Sequence, residues 1–540
     1  MTIGVFRIAA VAAFLVPFAL PLPTAADDAK ALFARHKAYV GWAYGDGTLN
    51  SARETFAYES PRSEASPKPG ATPDPLGTAN AQQGEVRREL LYRDSFRSYG
   101  RVIDARGFTG SVFWQSNVNG YTVTERGRSA LTALTSDVID AEALAEVPAD
   151  VRPDASFDGV TAAVVRIAPR NGAPADLFFS RDTGALLGYV LDPAQPRHET
   201  IHVISYAEFA PGKRYVSAVR FGDSQGIVRV SKFEANVPVS DDDLHPPRPQ
   251  PSWTFGSPRS VPITVVEHTS MYSNSGGRAV HLTLSVNGKP GTFLFDSGAG
   301  GIIVFDPFAA TAGLEDIGRT AYSGVNGGTV GATFAHVDNL TIGGNTLHDV
   351  VVLRGQKGGL PGIDGIIGYD VLARAVVNVD LTTRRLTITE PSDDTAQVGQ
   401  GAYAFPVDLT SFHAAVPVKV QETVLPHVWL DTGDDFFVIL PHDLETKTVA
   451  LTDTVSIGGT EIEKMVYFGG VDGSGAELAR CVRLNEIQVG PYRYQKAVSC
   501  FAPNAVFDPD GGLIGFDFLR HFNWTFDYPH NHVILTPNGA

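Results

Sequence analysis

Between about residue 86 and residue 235, apolar and polar positions alternate with a period of two. "GSVFWQSNVNGYTVTER", "VTAAVVRIAP", "DLFFSRDTGALLGYVLD" and "RYVSAVRFGD" show it, with turn residues between them. Side chains of a strand point alternately to its two faces, so this pattern predicts short antiparallel strands in one sheet. Two intervals depart from it. "AKALFARHKAYVGW" places Leu32, Phe33, His36, Tyr39 and Val40 at helical spacing, and a second helical stretch spans roughly Thr132 to Glu146. The Pro-, Ser-, Ala- and Gly-rich run "ESPRSEASPKPGATPDPLGTANAQQGE" reads as a mobile loop, and "DDDLHPPRPQPSW" as a linker.

Beyond the linker the pattern duplicates. "HLTLSVNGKPGTFLFDSG" and "GIIGYDVLARAVVNVDLTTRRLTI" are answered by "VPVKVQETVLPHVWLDTG" and "GLIGFDFLRHFNWTFDYPHNHVIL". In each copy a strand begins 15 residues before an Asp, and a Gly lies 12 residues before a second Asp. The first Asp of each copy, Asp296 or Asp431, ends an apolar run and precedes Ser297-Gly298 or Thr432-Gly433. Gly298 and Gly433 are expected to allow the backbone turn. A carboxylate at the end of a buried strand is unfavourable unless function repays it. Two copies facing each other would bring Asp296 and Asp431 together, and two touching carboxyls share one proton. One then serves as base toward a water while the protonated one polarises a carbonyl.

Each copy also carries a Gly-rich segment, "AYSGVNGGTVGATF" and "VYFGGVDGSGAELA", with Tyr322 or Tyr467 near its start. Gly324 and Gly327, and Gly470 and Gly473, frame Gly-Val-Asn-Gly and Gly-Val-Asp-Gly, which are hairpin-turn signals. These hairpins are expected to be flaps that close over an extended peptide, or else ordinary surface hairpins. After Gly433 the second copy departs from the first: Asp434 stands where Ala299 stands. That side chain could raise the pKa of the pair, hold substrate backbone, or face solvent.

Residues 262–540 resemble retropepsin-like aspartic proteases in the arrangement with two lobes in one chain. The resemblance lies in Asp296-Ser297-Gly298, Asp431-Thr432-Gly433, Ile366-Ile367-Gly368 and Leu513-Ile514-Gly515. It implies Asp296 and Asp431 as the catalytic dyad, with Ser297 and Thr432 bonding across the lobe interface. It implies peptide-bond hydrolysis with no metal or organic cofactor; the alternative is an inactive clamp for peptide or lipid on the same fold. Residues 27–250 resemble outer-membrane lipoprotein carrier and sorting proteins, through "YRDSFRSYGRVID", "GSVFWQS", "LFFSRDTGALLGYVLD" and "FEANVPVSDDDLHPP". That implies a curved half-barrel with an apolar cavity for a lipid, lipopeptide or peptide, or else a scaffold.

Composition supports this organisation. The chain has 540 residues, with 55 Gly and 35 Pro, suiting a mainly β protein of several units. The net charge is −16 with no basic block, which argues against a nucleic-acid partner. "MTIGVFR", the apolar run Ile8–Leu20, and small Thr24 and Ala26 read as a signal peptide over residues 1–26. The apolar run is too short for a membrane span, so a periplasmic or secreted protein is expected. Cys481 and Cys500, the two cysteines, are expected to pair there. The expected units are 27–240, a linker over 241–261, and lobes over 262–395 and 396–540.

Overall fold

The computed structural model describes residues 28–59, 81–88, 90–98, 101–195, 198–222, 227–268, 277–324, 329–356, 362–392, 398–447, 450–452, 454–457, 460–463, 465–468, 477–502 and 510–539. The expected signal peptide, residues 60–80 of the Pro-rich run, and Gly327, Gly470 and Gly473 lie outside these residues. The two ends of that run, Glu59 and residues 81–85, are not loop but belong to the paired strands Ser51–Glu59 and Ala81–Arg88. The architecture is mainly β, as the alternation predicts.

The first unit is a 13-stranded antiparallel sheet with Thr122–Thr124 at one edge and Ala149–Phe157 at the other. Its middle is the pair Ser51–Glu59 and Ile227–Ala235, which joins the beginning of the unit to its end. The helix Ala29–Val40 is capped by Asp28, whose carboxylate accepts from the Ala31 N–H at 2.6 Å. It buries Leu32 and Phe33 against Val165, Leu177, Phe179 and Leu186 of the sheet. The second helix runs Gly127–Asp140 rather than Thr132–Glu146. It stops early because Glu142 takes a left-handed backbone (φ 55°), and the Glu142 carboxylate meets His36 Nε2 at 2.9 Å.

The resemblance to lipoprotein carriers implied an apolar interior, and the structure differs. A cavity of about 290 Å³ between sheet and second helix is lined by Glu85, Tyr92, Arg106, Ser136, Asp137 and Asp140 among others. Directly opposed residues of successive strands, Glu54, Glu85, Asp94, Arg106 and Gln115, form one row across this face. Opposed residues share a face of the sheet, so charge at these positions makes the interior polar. Buried Arg87 holds the row in place through Glu85 and Asp137, each at 2.5 Å.

The stretch between the first unit and the lobes carries structure of its own. Ser240 and Asp243 form a capping box on the one-turn helix Asp241–Leu244, and Ser252–Thr254 pairs with Asn345–Gln356.

The duplicated half then repeats one local plan. Lys289–Phe295 runs parallel to Gly365–Ile367, and Ile303–Asp306 lies antiparallel on the other side of that short strand. Thr423–Leu430, Gly511–Ile514 and Val438–Pro441 reproduce the arrangement. A one-turn helix follows each short strand, Tyr369–Leu372 and Phe516–Leu519. The copies are joined where Val376–Asp380 pairs antiparallel with Phe522–Asp527, at the centre of the run Ser260–His268, Arg385–Thr389, Val376–Asp380, Phe522–Asp527, His532–Pro537 and Tyr403–Pro406. One continuous apolar core, including Phe293, Phe295, Val377, Phe516, Trp524 and Phe526, spans both copies. Cys481 and Cys500 are bonded to each other at opposed positions of Glu477–Val489 and Tyr492–Ala502.

Candidate active site

Each Asp turn leaves its strand at the same point of the repeated plan. The Asp296 N–H donates to Ile367 O at 3.0 Å, and the Asp431 N–H to Ile514 O at 2.9 Å. Each carboxylate then turns back onto its own loop: Asp296 Oδ1 accepts from the Gly298 N–H, and Asp431 Oδ1 from the Gly433 N–H, both at 2.8 Å.

The two turns are locked by a reciprocal set of bonds. The Ser297 N–H donates to Thr432 Oγ1 and the Thr432 N–H to Ser297 Oγ, both at 3.0 Å. Ser297 Oγ–H donates to Leu430 O at 2.7 Å, and Thr432 Oγ1–H to Phe295 O at 3.1 Å. Ser297 and Thr432 are buried, so every one of these groups would otherwise be an unsatisfied polar atom.

Gly298 and Gly433 are needed for a reason other than the expected one. Neither has a left-handed backbone. A Cβ on Gly298 would instead lie 2.2 Å from Asp431 Cγ, and one on Gly433 2.4 Å from Asp296 Cγ. Each carboxyl therefore sits over the glycine of the opposite turn. Asp296 and Asp431 hydrogen-bond each other there. Burial, then the Asp431 charge, pushes the Asp296 carboxyl well above the carboxylate range. Burial also raises Asp431, but the hydrogen bond from Asp296 works against it.

Asp434 is the third acid. It lines the cleft, its Oδ2 accepts from the Phe436 N–H at 3.1 Å, and its side chain packs on Gly515. Burial and then Asp431 raise its pKa well above normal, and Asp434 in turn raises Asp296.

The cleft itself has a volume of about 430 Å³. Tyr322 and Gly324 line it, at the end of the hairpin strand Asp316–Ser323; the Tyr322 hydroxyl donates to Gln356 O at 3.4 Å. In the second copy, Tyr467 lies on Met465–Phe468, paired with Leu478. Gly327, Gly470 and Gly473 belong to the hairpin segments outside the described residues.

Several cleft residues had no signal in the sequence. His413 Nε2 meets Gly298 O at 2.9 Å while its ring stacks on Trp429 at 4.1 Å. Burial holds its pKa down to about 4, so the ring is neutral and donates from Nε2. Asp104, Gln115, Asn117 and Val118 come from the first unit, and Asp370 from the helix after Gly368. Burial pushes both Asp104 and Asp370 up to about 6. Among the described residues no cluster of three or more His, Cys, Asp or Glu could hold a metal ion.

The aspartyl protease family model matches residues 282–371. The match takes in Asp296-Ser297-Gly298 and Ile366-Ile367-Gly368, two of the four runs on which the sequence resemblance was drawn, and the hairpin with Tyr322 between them. No curated protein matches the chain. Three solved structures match part of it. A DUF1329 family protein from Desulfovibrio piger ATCC 29098 is 12% identical, with a TM-score of 0.29, over 40% of this chain and 95% of that one. The outer membrane lipoprotein-sorting protein domain from Vibrio parahaemolyticus is 10% identical at a TM-score of 0.29, over 40% and 95% of the two chains. A LolA superfamily protein from Nitrosomonas europaea is 10% identical at 0.30, over 41% and 98%.

Proposed function

We propose that the chain is an aspartic endopeptidase that hydrolyses extended polypeptides through Asp296 and Asp431. One observation carries the reading: two carboxyls from equivalent turns lie against each other on the floor of an open cleft, each turn braced by the other. An extended peptide lying across that floor brings its carbonyl carbon to a water held between the two acids. Asp431, the ionised partner, takes a proton from the water as its oxygen bonds to that carbon. Asp296 gives its proton to the carbonyl oxygen, leaving a neutral tetrahedral diol and a reversed dyad. Asp431 then returns its proton to the amide nitrogen, the C–N bond breaks, and Asp296 recovers the proton of the hydroxyl that becomes the new carboxylic acid. No charge accumulates beyond the single negative charge the dyad already carries.

The test is hydrolysis of a denatured protein by Asp296→Asn and Asp431→Asn. Each change keeps the shape but removes the exchangeable proton, and acid–base help of this kind is worth about 10²–10⁴ in rate. Each variant is expected to lose at least that much; wild-type turnover by either one overturns the mechanism. A second reading, a peptide clamp that does not cut, is favoured by the extra acid in the cleft at Asp434. It is supported if the wild-type chain binds peptides and leaves them intact at every pH from 3 to 8.

A further inference from the structure

The first unit reaches the catalytic cleft with one hairpin, Phe113–Ser116 and Thr122–Thr124. Its turn is fastened unusually well for a contact between units. Asn119 pairs with the backbone of Val351 at two points: Nδ2 donates to Val351 O and Oδ1 accepts from its N–H, both at 2.8 Å. Asn117 donates from Nδ2 to Asp370 Oδ1 at 2.9 Å. Its own Oδ1 accepts from the N–H groups of Asn119 and Tyr121, which sets the turn. Gly120 completes it with a left-handed backbone (φ 76°) at a point where a Cβ would be 2.4 Å from Arg248 O.

The hairpin is held from the other side too. Tyr121 meets Tyr369 edge-on at 6.2 Å, and Tyr121 and Val123 belong to the core of the two lobes. Glu125 accepts from the Ser411 N–H at 2.7 Å. Residues 369–370 and 351 belong to the first copy and residue 411 to the second, so the hairpin bridges both. Asn119 and Gly120 are buried, so the bridge is dry.

Between these anchors stands Val118. It lines the cleft, half-buried, and packs against Phe334 and Val351; Ile303 and Leu353 continue the same apolar wall. No other residue of the hairpin turn offers the cleft an apolar side chain, since Gln115 is turned to Asp104 and Asn117 to Asp370.

We propose that Val118 is a specificity-determining residue of the peptide cleft, so that the first unit supplies one wall of the substrate site and sets the size of the residue admitted beside it. The inference rests on the peptidase reading for its context, not for its test. An apolar pocket discriminates by roughly 10–200-fold per methylene-sized misfit. The variants are Val118→Ala, which deepens the pocket, and Val118→Trp, which fills it. Both leave Asn117, Asn119 and Gly120 in place, so the hairpin stays anchored.

The probes are fluorescein-labelled peptides of one length, each carrying Ala, Leu or Phe at a single position along the chain. Their dissociation constants are measured by anisotropy on the full chain carrying Asp296→Asn, which leaves peptides uncut whether or not the protein is a peptidase. At one peptide position, Val118→Trp is expected to weaken the Phe peptide at least 10-fold over the Ala peptide, and Val118→Ala to shift preference toward Phe. Equal effects on all three residues at every position, or no effect of either variant, would overturn the proposal. If wild-type protein cuts nothing while the size preference still inverts, the peptidase reading fails and the assignment of Val118 stands.

Discussion

Asp296 and Asp431 occupy equivalent turns, yet their surroundings differ. The asymmetry comes from the residue after each glycine. In the first copy Ala299 packs on Gly368; in the second Asp434 packs on Gly515 and sets a third carboxyl beside the pair. Because Asp434 opposes ionisation of Asp296, it extends to higher pH the range in which Asp296 keeps its proton. Replacing it by Asn removes that opposition. The expected outcome for Asp434→Asn is an alkaline limb of kcat/KM displaced to lower pH; a limb that stays in place would show that Asp434 has no hold on the dyad. The sequence marked Asp434 as the departure from the pattern, but not where it points. That depends on the Phe436 N–H holding its carboxylate inward. His413 was still less legible, because its partner Gly298 lies 115 residues away and nothing local distinguishes it from any other histidine.

At the scale of elements, the site is a pair of interlocked turns, and its rigidity comes from hydrogen bonds made between them. Ser297 Oγ both accepts from Thr432 N–H and donates to Leu430 O, in a place closed to water. In Ser297→Ala the Thr432 N–H and the Leu430 carbonyl lose that partner together. A buried unsatisfied group costs about 1–3 kcal/mol, so urea denaturation is expected to show a loss of about that size, with a fall in kcat as the carboxyls lose registration. An unchanged midpoint would mean that the turns are held by packing alone. The turns, the short strand beside each and the helix after it were readable, since each is a contiguous run repeated at fixed spacing. The hairpin at residues 113–124 was readable as strands only. Its destination is not, because Asn119 and Val351 are separated by 232 residues and Asn is an ordinary turn residue.

The whole molecule carries an unusual load of buried acid. Burial raises Asp104 and Asp370 to about 6 and Glu85 to about 7, while in the unfolded chain they titrate near 4. Between those values the folded state binds more protons than the unfolded one, so stability declines as pH rises through that window. The outer acids Asp46, Asp154 and Asp243 are shifted the other way by their partners, and their contribution fades below pH 4. The melting temperature is therefore expected to peak near pH 4–5 and to fall on going to pH 7.5. A calorimetric profile flat across that interval would show that these groups take on their charge in the fold without penalty. The polar row across the first sheet that creates much of this load was not foreseen. Charged residues at alternate positions read as an outward face, whereas the helix Gly127–Asp140 lies over the face that bears them.

The central sheet, in which Phe522–Asp527 lies directly against Val376–Asp380, has a consequence for synthesis. As the ribosome extends the chain, the first lobe emerges with its innermost strand bare, because the neighbour that covers it comes from more than 140 residues later. An uncovered strand edge invites pairing with other chains, so the nascent protein needs shelter until the late strands appear. The same delay reaches the acids: the Thr432 turn emerges 135 residues after the Ser297 turn, and the strand Gly511–Ile514 that takes the Asp431 N–H comes later still, so the facing turns lock together only when the second copy is nearly finished.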